Sequence, residues 1–275
     1  MKGYGISLPS VYDSSPEPDW FYQGWIPRED RLMVITGDSG VGKTIFVTNL
    51  MLAMACGETF MARPFLGDPP RFLYIDLDMG EVELRMHLLN VAISMGLRRE
   101  DLATLDDRVG VLCDGMDNLP QGYDIGTRDK RGNGYLILRD VISRCKPDIV
   151  VVESWSDLCG TEVDMDSNNS VNTALRRLRQ VNQGVSWWII HHEGKSRHDA
   201  AKMRKSVQHR GIGAQALTKS AHRNFSISYA REHAGVTTNV VEWGKVRLGT
   251  KPRSFEYSFG TNAAGDFVMS YGEEL

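Results

Sequence analysis

The 275-residue sequence contains no long apolar run. No stretch approaches the roughly 18 residues of a membrane-spanning helix. The opening residues Met1-Lys2-Gly3-Tyr4-Gly5 lack the apolar core of a secretion signal, so no membrane association and a cytoplasmic location are expected. Cysteine is scarce: Cys56, Cys113, Cys145 and Cys159 lie far apart and form no CxxC pair. A disulfide framework and a zinc ribbon are thereby disfavoured, in keeping with a reduced compartment. Charge of one sign is lacking too, since 32 Lys+Arg stand against 35 Asp+Glu for a net of −3. That balance excludes a wholly basic nucleic-acid coat but leaves room for a local basic patch. Internal repeats and low-complexity tracts are absent. What is present is a hydrophobic fraction of 41%, enough for a full core. At about 150 residues per domain the length suits one large α/β domain.

Residues 1–30 are rich in Pro, Ser and aromatics, among them Trp20, Phe21, Tyr22 and Trp25. They read as an extended arm that packs by its rings, with stacking on adenine or docking on a neighbouring subunit as alternatives. The remaining residues, 31–275, read as one domain. Near-continuous apolar runs at 32–36, 71–76, 108–112, 148–153 and 186–191 alternate with helical patterns at 43–56, 81–95, 134–145 and 171–183. This rhythm predicts a mainly parallel central sheet covered by helices on both faces. Residues 223–230, 238–247 and 254–259 alternate as hairpin strands do, which predicts a C-terminal antiparallel extension of that sheet. Two long loops, about 113–133 and 193–212, interrupt the pattern. The first carries Arg128-Asp129-Lys130-Arg131 and reads as a surface loop, with nucleic acid or a partner as the alternative.

The chemistry begins at Gly37-Asp38-Ser39-Gly40-Val41-Gly42-Lys43-Thr44, which fits GxxxxGK[ST] between a strand and a helix. Its glycines let backbone N–H groups curl around a β-phosphate, and the helix N-terminus adds positive potential. Lys43 is placed to reach the β- and γ-phosphates, and the Thr44 hydroxyl to ligate Mg²⁺. These residues predict binding of a nucleoside triphosphate. The strongest apolar run after them, Ile149–Val152, ends in Glu153, the candidate second carboxylate of the Mg²⁺ shell. Asp148, at the other end of that run, reads as a turn residue. Hydrolysis also needs a group that orients or deprotonates water. Asp78, on one face with Asp76 at the end of the run 72–75, is the candidate; the alternatives are that it caps the next helix, or that Glu81 is the base. The segment 194–210 carries Lys195, Arg197, Lys202, Arg204, Lys205 and Arg210 against the single acid Asp199, a net of +5. It is a candidate contact for nucleic-acid phosphates, or else a solvated charge run.

Taken together, GDSGVGKT, YIDLDMGE, DIVVVESWSDL and WWIIHHEGKS resemble the RecA-fold ATPases of the plasmid RepA replicative-helicase type, relatives of the DnaB and KaiC group. The resemblance covers roughly residues 25–260. It implies a RecA-like P-loop α/β fold and a hexameric or filamentous ring, with ATP and Mg²⁺ between subunits and single-stranded DNA in the centre. It also implies that His191-His192 sense the γ-phosphate and relay it to the following basic loop. The alternatives for that pair are a structural role for one histidine, or metal ligation. Arg210 resembles an arginine finger, and Lys245-Val246-Arg247 the KxR pair inserted into a neighbour's site; the bland reading of the latter is ordinary surface. Two departures stand out: the family usually has Glu where Asp78 stands and Asp where Glu153 stands. Each exchange moves a carboxylate by about 1.5 Å, and misplacement on that scale can cost about 100-fold in rate. The function expected is a DNA helicase or translocase. A RecA-like recombination or annealing mediator is the first alternative, and a KaiC-like regulatory ATPase without nucleic acid is the second. No primase segment is visible, so a primase or other replication protein is expected as a separate partner.

Overall fold

A computed structural model describes residues 18–114, 133–160, 163–182, 184–192, 215–261, 265 and 267–274. The chain starts with a small antiparallel pair, β1 (Trp20–Tyr22) and β2 (Ile26–Pro27). The alternating core follows: β3 (Leu32–Gly37), α1 (Lys43–Cys56), β4 (Phe72–Gly80), α2 (Glu81–Ser94), α3 (Arg99–Ala103) and β5 (Val109–Asp114). It continues with α4 (Asn133–Cys145), β6 (Ile149–Glu153), α5 (Trp155–Cys159), α6 (Asn168–Val181) and β7 (Ser186–His192). The last elements are α7 (Ala216–Ser220), β8 (Arg223–His233), β9 (Val236–Val246), β10 (Phe255–Thr261) and β11 (Phe267–Glu274).

The main sheet has nine strands in the order β11-β10-β9-β8-β3-β7-β6-β4-β5. The six strands from β8 to β5 run parallel, and β9, β10 and β11 extend the β8 edge antiparallel. This is the mainly parallel, RecA-like α/β sheet with the antiparallel extension that the hydrophobic pattern predicts. Every residue of β3 and β6 is buried, as a strand covered on both faces must be, and hence each is a nearly unbroken apolar run. Period-2 alternation divides them. Met33, Ile35, Ile149 and Val151 pack against Phe46 and Leu50 of α1, while Leu32, Val34, Val150 and Val152 pack against Leu138 of α4 and Leu175 of α6.

Several elements escape the sequence pattern because they are short: β1, β2, α3, α5 and α7 span five residues or fewer each. The alternation over Phe72–Asp78 also breaks. Pairing with β6 ends at Asp76, and the ladder to β5 jumps from Asp76 to Gly80, so residues 77–79 leave the ladder. A bulge of this kind re-aims the side chains that follow it, and Asp78 lies within it. Phe21, Tyr22 and Trp25 are buried in the sheet–α1 cluster, so these rings anchor the segment and leave no face for adenine. The Trp25 ring stacks on Phe255 with centroids 4.9 Å apart. Asp30 joins the same region to β8 through a buried ion pair with Arg223 at 2.8 Å.

Trp25 is 2% exposed, so Trp25→Ala opens a large cavity in the cluster. It should destabilise the protein by about 3–5 kcal/mol, read from the midpoint and slope of chemical unfolding. A loss under about 1 kcal/mol, the range of ordinary surface changes, would show that residues 20–27 do not fold cooperatively with the sheet.

Candidate active site

The C-terminal ends of β3, β7, β6 and β4 meet on one edge of the sheet, where open α/β sheets hold their ligands. β3 ends at Gly37, which lies beside His192 of β7 and Ile227 of β8. A Cβ at Gly37 would come within 2.5 Å of the Ile227 carbonyl oxygen, so only glycine lets the loop leave the strand here. Ser39 and Gly40 are exposed at the loop tip. Gly42 takes a left-handed φ of 76° and forms the N-cap of α1, with no side-chain cap and no acid in the first turn. The first N–H groups of α1 are thereby kept for an anion. Behind the loop, the Tyr257 hydroxyl lies 2.9 Å from the Val41 carbonyl oxygen and 2.8 Å from that of Gly42.

Lys43 is buried and its ammonium donates to the carbonyls of Gly37 (3.1 Å) and Asp38 (2.8 Å). Thr44, one residue on, donates from its hydroxyl to Glu153 Oε1 at 2.5 Å. Glu153 closes β6 on the face that looks towards α1, and the other oxygen, Oε2, accepts from the Tyr74 hydroxyl at 2.7 Å. The same hydroxyl is 3.3 Å from Asp76 Oδ2. Asp76 stands directly opposite Glu153 in the β4–β6 register, fully buried, and its Oδ1 accepts the backbone N–H of Asp78 (2.9 Å) and Met79 (2.8 Å). Burial pushes the Glu153 carboxyl up to about 7, against the pull of the Thr44 and Tyr74 hydrogen bonds, and the Asp76 charge adds to the rise. Burial raises the Asp76 carboxyl too.

His192 Nδ1 lies 3.4 Å from the Lys43 ammonium. Lys43 is a donor only, so Nδ1 is the acceptor and the proton sits on Nε2. Burial, followed by the positive charge of Lys43, lowers the His192 pKa and keeps the ring neutral, with Asp78 and Asp157 acting in the opposite sense. Strand alternation turns His191 to the other face of the sheet, where it is buried beside the α4–α6 layer. The two histidines therefore occupy different environments, and His192 is the one at the phosphate loop. Asp78 is exposed beyond the β4 bulge, near enough to His192 to act on its charge. Glu81 starts α2 and pairs with Arg85 at 2.5 Å, an i,i+4 surface pair. Asp148 accepts the Arg71 N–H at 2.8 Å, a turn contact.

Lys245 and Arg247 lie at the opposite end of the sheet. Val246 is in register with Arg223, and Arg223 with Met33 near the start of β3. Four strand steps, about 13 Å, separate that level from the end of β3, and the Lys245 ammonium is engaged away from the phosphate loop of its own chain. The Lys245 ammonium donates to the Lys219 carbonyl, and the Arg247 N–H to the His222 carbonyl at 3.0 Å. Arg179 makes a long 3.5 Å contact with the Ser220 carbonyl. His222 Nδ1 accepts the Arg31 N–H at 3.1 Å, which puts the ring proton on Nε2. Burial, then the charge of Arg247, holds this ring neutral. Among the described residues, Arg179, Lys219, Lys245 and Arg247 form no ion pair with a carboxylate. Lys195, Arg197, Lys202, Arg204, Lys205 and Arg210 lie outside the described residues.

Sequence reasoning missed Tyr74, Tyr257, Arg179 and His222. Tyr74 alone carried a readable signal, since it precedes Asp76 by two strand positions; the others gain meaning only from pairing across the fold.

A glycine loop between a buried strand and a helix, its lysine, and a carboxylate on a parallel strand one removed define a P-loop ATPase of RecA-like fold. The chain belongs to the AAA domain family AAA_25, a DnaB/RecA-like P-loop family whose sequence model matches residues 11–198, more than half of the chain. No curated protein matches the sequence. Nucleotide binding and an ATPase activity of the P-loop class follow from family and site together.

The oxygens of Thr44 and Glu153 suit a hard divalent cation that keeps most of its shell from phosphate and water. No group of three or more His, Cys, Asp or Glu side chains gathers as a metal cage among the described residues. The raised Glu153 carboxyl has a consequence for stability. Its folded pKa of about 7 lies above the ordinary 4.5, so its contribution to stability is complete below the ordinary value and is lost as pH rises through 7. In metal- and nucleotide-free buffer Glu153→Gln should therefore melt above the unaltered protein at about pH 8, with the gap closing towards about pH 5. Thermal melts at a series of pH values read this directly, and a pH-independent gap would sink it.

Proposed function

We propose that the protein is a ring-forming ATPase of the helicase or translocase type, related to the plasmid RepA replicative helicases, that works on single-stranded DNA with ATP and Mg²⁺ bound between subunits. The observation that carries this reading is the split of charged groups between the two ends of the sheet. The phosphate loop, Glu153 and His192 sit at one end, while Lys245, Arg247, Arg179 and His222 sit at the other. Donors without a carboxylate partner among the described residues, about 13 Å below their own phosphate loop, suit the triphosphate of an adjoining copy. A cation delivered there would stabilise transition-state charge and is worth about 10³–10⁵ in rate.

An exposed apolar stripe on α2, at Val82, Met86, Leu89 and Ile93, adds support for association with another copy of the chain. The net +5 of residues 194–210, directly after the His191-His192 strand, supports DNA contact. In the site itself Lys43 takes the phosphates, Thr44 and Glu153 hold the Mg²⁺ side, His192 reads the γ-phosphate through the Lys43 contact, and Asp78 orients water. Four cysteines far apart in the sequence, with no CxxC pair, fit a reduced cytoplasmic setting.

ATPase activity and size-exclusion elution are to be measured over a protein concentration series, with and without single-stranded DNA. The expected result is activity that rises with assembly and several-fold with DNA, together with strand displacement. DNA stimulation without displacement identifies a mediator instead, and indifference to DNA identifies a regulatory ATPase. Subunits carrying Arg247→Ala mixed with subunits carrying Lys43→Ala should recover part of the activity that each lacks alone; no recovery rules out action across the interface. Lys202→Ala, Arg204→Ala and Lys205→Ala together should weaken DNA binding and flatten its salt dependence by about three charges.

A further inference from the structure

Tyr74 is fully buried on β4, two residues before Asp76, so both side chains point to the sheet face covered by α1. In register, Tyr74 lies beside Val151 and Asp76 beside Glu153. The phenol rises along the strand and ends between the two carboxylates, 2.7 Å from Glu153 Oε2 and 3.3 Å from Asp76 Oδ2. A phenol has one proton to give, and the shorter contact directs it to Glu153. Asp76 does not depend on it, because Oδ1 already takes two backbone N–H groups. The other Glu153 oxygen is held by the Thr44 hydroxyl at 2.5 Å. Glu153 is therefore fixed at both oxygens, from α1 on one side and from β4 on the other. An aspartate at this position would be shorter by one C–C bond, about 1.5 Å, and could not keep both contacts within hydrogen-bond range.

We propose that Tyr74 is the positioning residue that fixes Glu153 for the metal ion of the nucleotide complex, and that this hold is what allows a glutamate at the end of β6. The inference rests on the reading of Thr44 and Glu153 as the metal-side pair in the proposed function. Tyr74 acts through Glu153 and touches neither phosphate nor metal. Partners that orient a metal-binding carboxylate in this way are worth about 10–100-fold in metal affinity. The phosphate loop and Lys43, by contrast, take nucleotide without Tyr74, so affinity in the absence of metal is independent of it.

The experiment titrates Mg²⁺ into complexes of a fluorescent ATP analogue with the full chain, with Tyr74→Phe, with Glu153→Asp and with the double variant. Metal-free nucleotide affinity and thermal melting are followed in parallel. Tyr74→Phe should raise the Mg²⁺ midpoint about tenfold and leave metal-free affinity unchanged. Glu153→Asp should raise the midpoint as well, even though aspartate is the more usual residue in the similar ATPases. Adding Tyr74→Phe to Glu153→Asp should produce no further rise, since the shorter side chain has already lost the phenol. An unchanged midpoint in Tyr74→Phe overturns the proposal, and so do additive effects in the double variant. If Tyr74→Phe does not fold, Glu153→Asp decides alone, and a midpoint at or below that of the unaltered chain overturns it. A full chain whose nucleotide binding ignores Mg²⁺ overturns the metal-side assignment itself, which is a different result from a Mg²⁺-dependent chain indifferent to Tyr74.

Discussion

Two carboxylates, Asp76 and Glu153, stand opposite each other at the ends of adjacent buried strands, and most of the site answers to their burial. Neither is more than 3% exposed, so water does little to screen them. Burial alone favours their protonated forms. Everything around them supplies hydrogen to oxygen: the Thr44 and Tyr74 hydroxyls to Glu153, and two backbone N–H groups to Asp76. The donors to Asp76 come from the bulge, so satisfying this buried carboxylate and lifting Asp78 out of the ladder are one local arrangement. The lengths of Glu153 and Asp78 fit this geometry. The longer Glu153 spans from Thr44 to Tyr74, and the shorter Asp78 stands out on the bulge near His192.

The sheet also separates two kinds of charge. Its C-terminal edge gathers the glycine loop, Lys43, the carboxylates and His192. The N-terminal edge gathers cations that rest on backbone carbonyls at the end of α7 and on strand ends. The antiparallel hairpin sets this separation for Lys245 and Arg247, because β9 runs back along β8 and ends level with the start of β3. A group at the start of one strand is a full strand length from a group at the end of its neighbour.

Much of this was legible in the sequence. The strand and helix spans from 32 to 192 follow the hydrophobic periods closely; α1, for example, runs Lys43–Cys56, and its start is set by Gly42. Long elements buried on one or both faces repeat their pattern often enough to be read. Short elements such as α5 and α7 do not, because five residues are too few to establish a period. The antiparallel strands 223–261 were readable as hairpins, but their service to the phosphate loop was not. Tyr257 reaches Val41 and Gly42 across more than 200 positions of sequence, and nothing local in either segment announces the other.

The sequence by itself determined the phosphate loop, the candidate carboxylates and the class of sheet, since each depends on residue types at short spacing within one strand or one turn. Only the tertiary structure decided which histidine faces Lys43, because that choice depends on the face of β7 that meets α1. It alone took Asp78 out of the ladder, through a bulge that local alternation does not encode. It alone brought Tyr74 between Glu153 and Asp76, because hydrogen bonds form between side chains that neighbour each other in register across strands 79 positions apart.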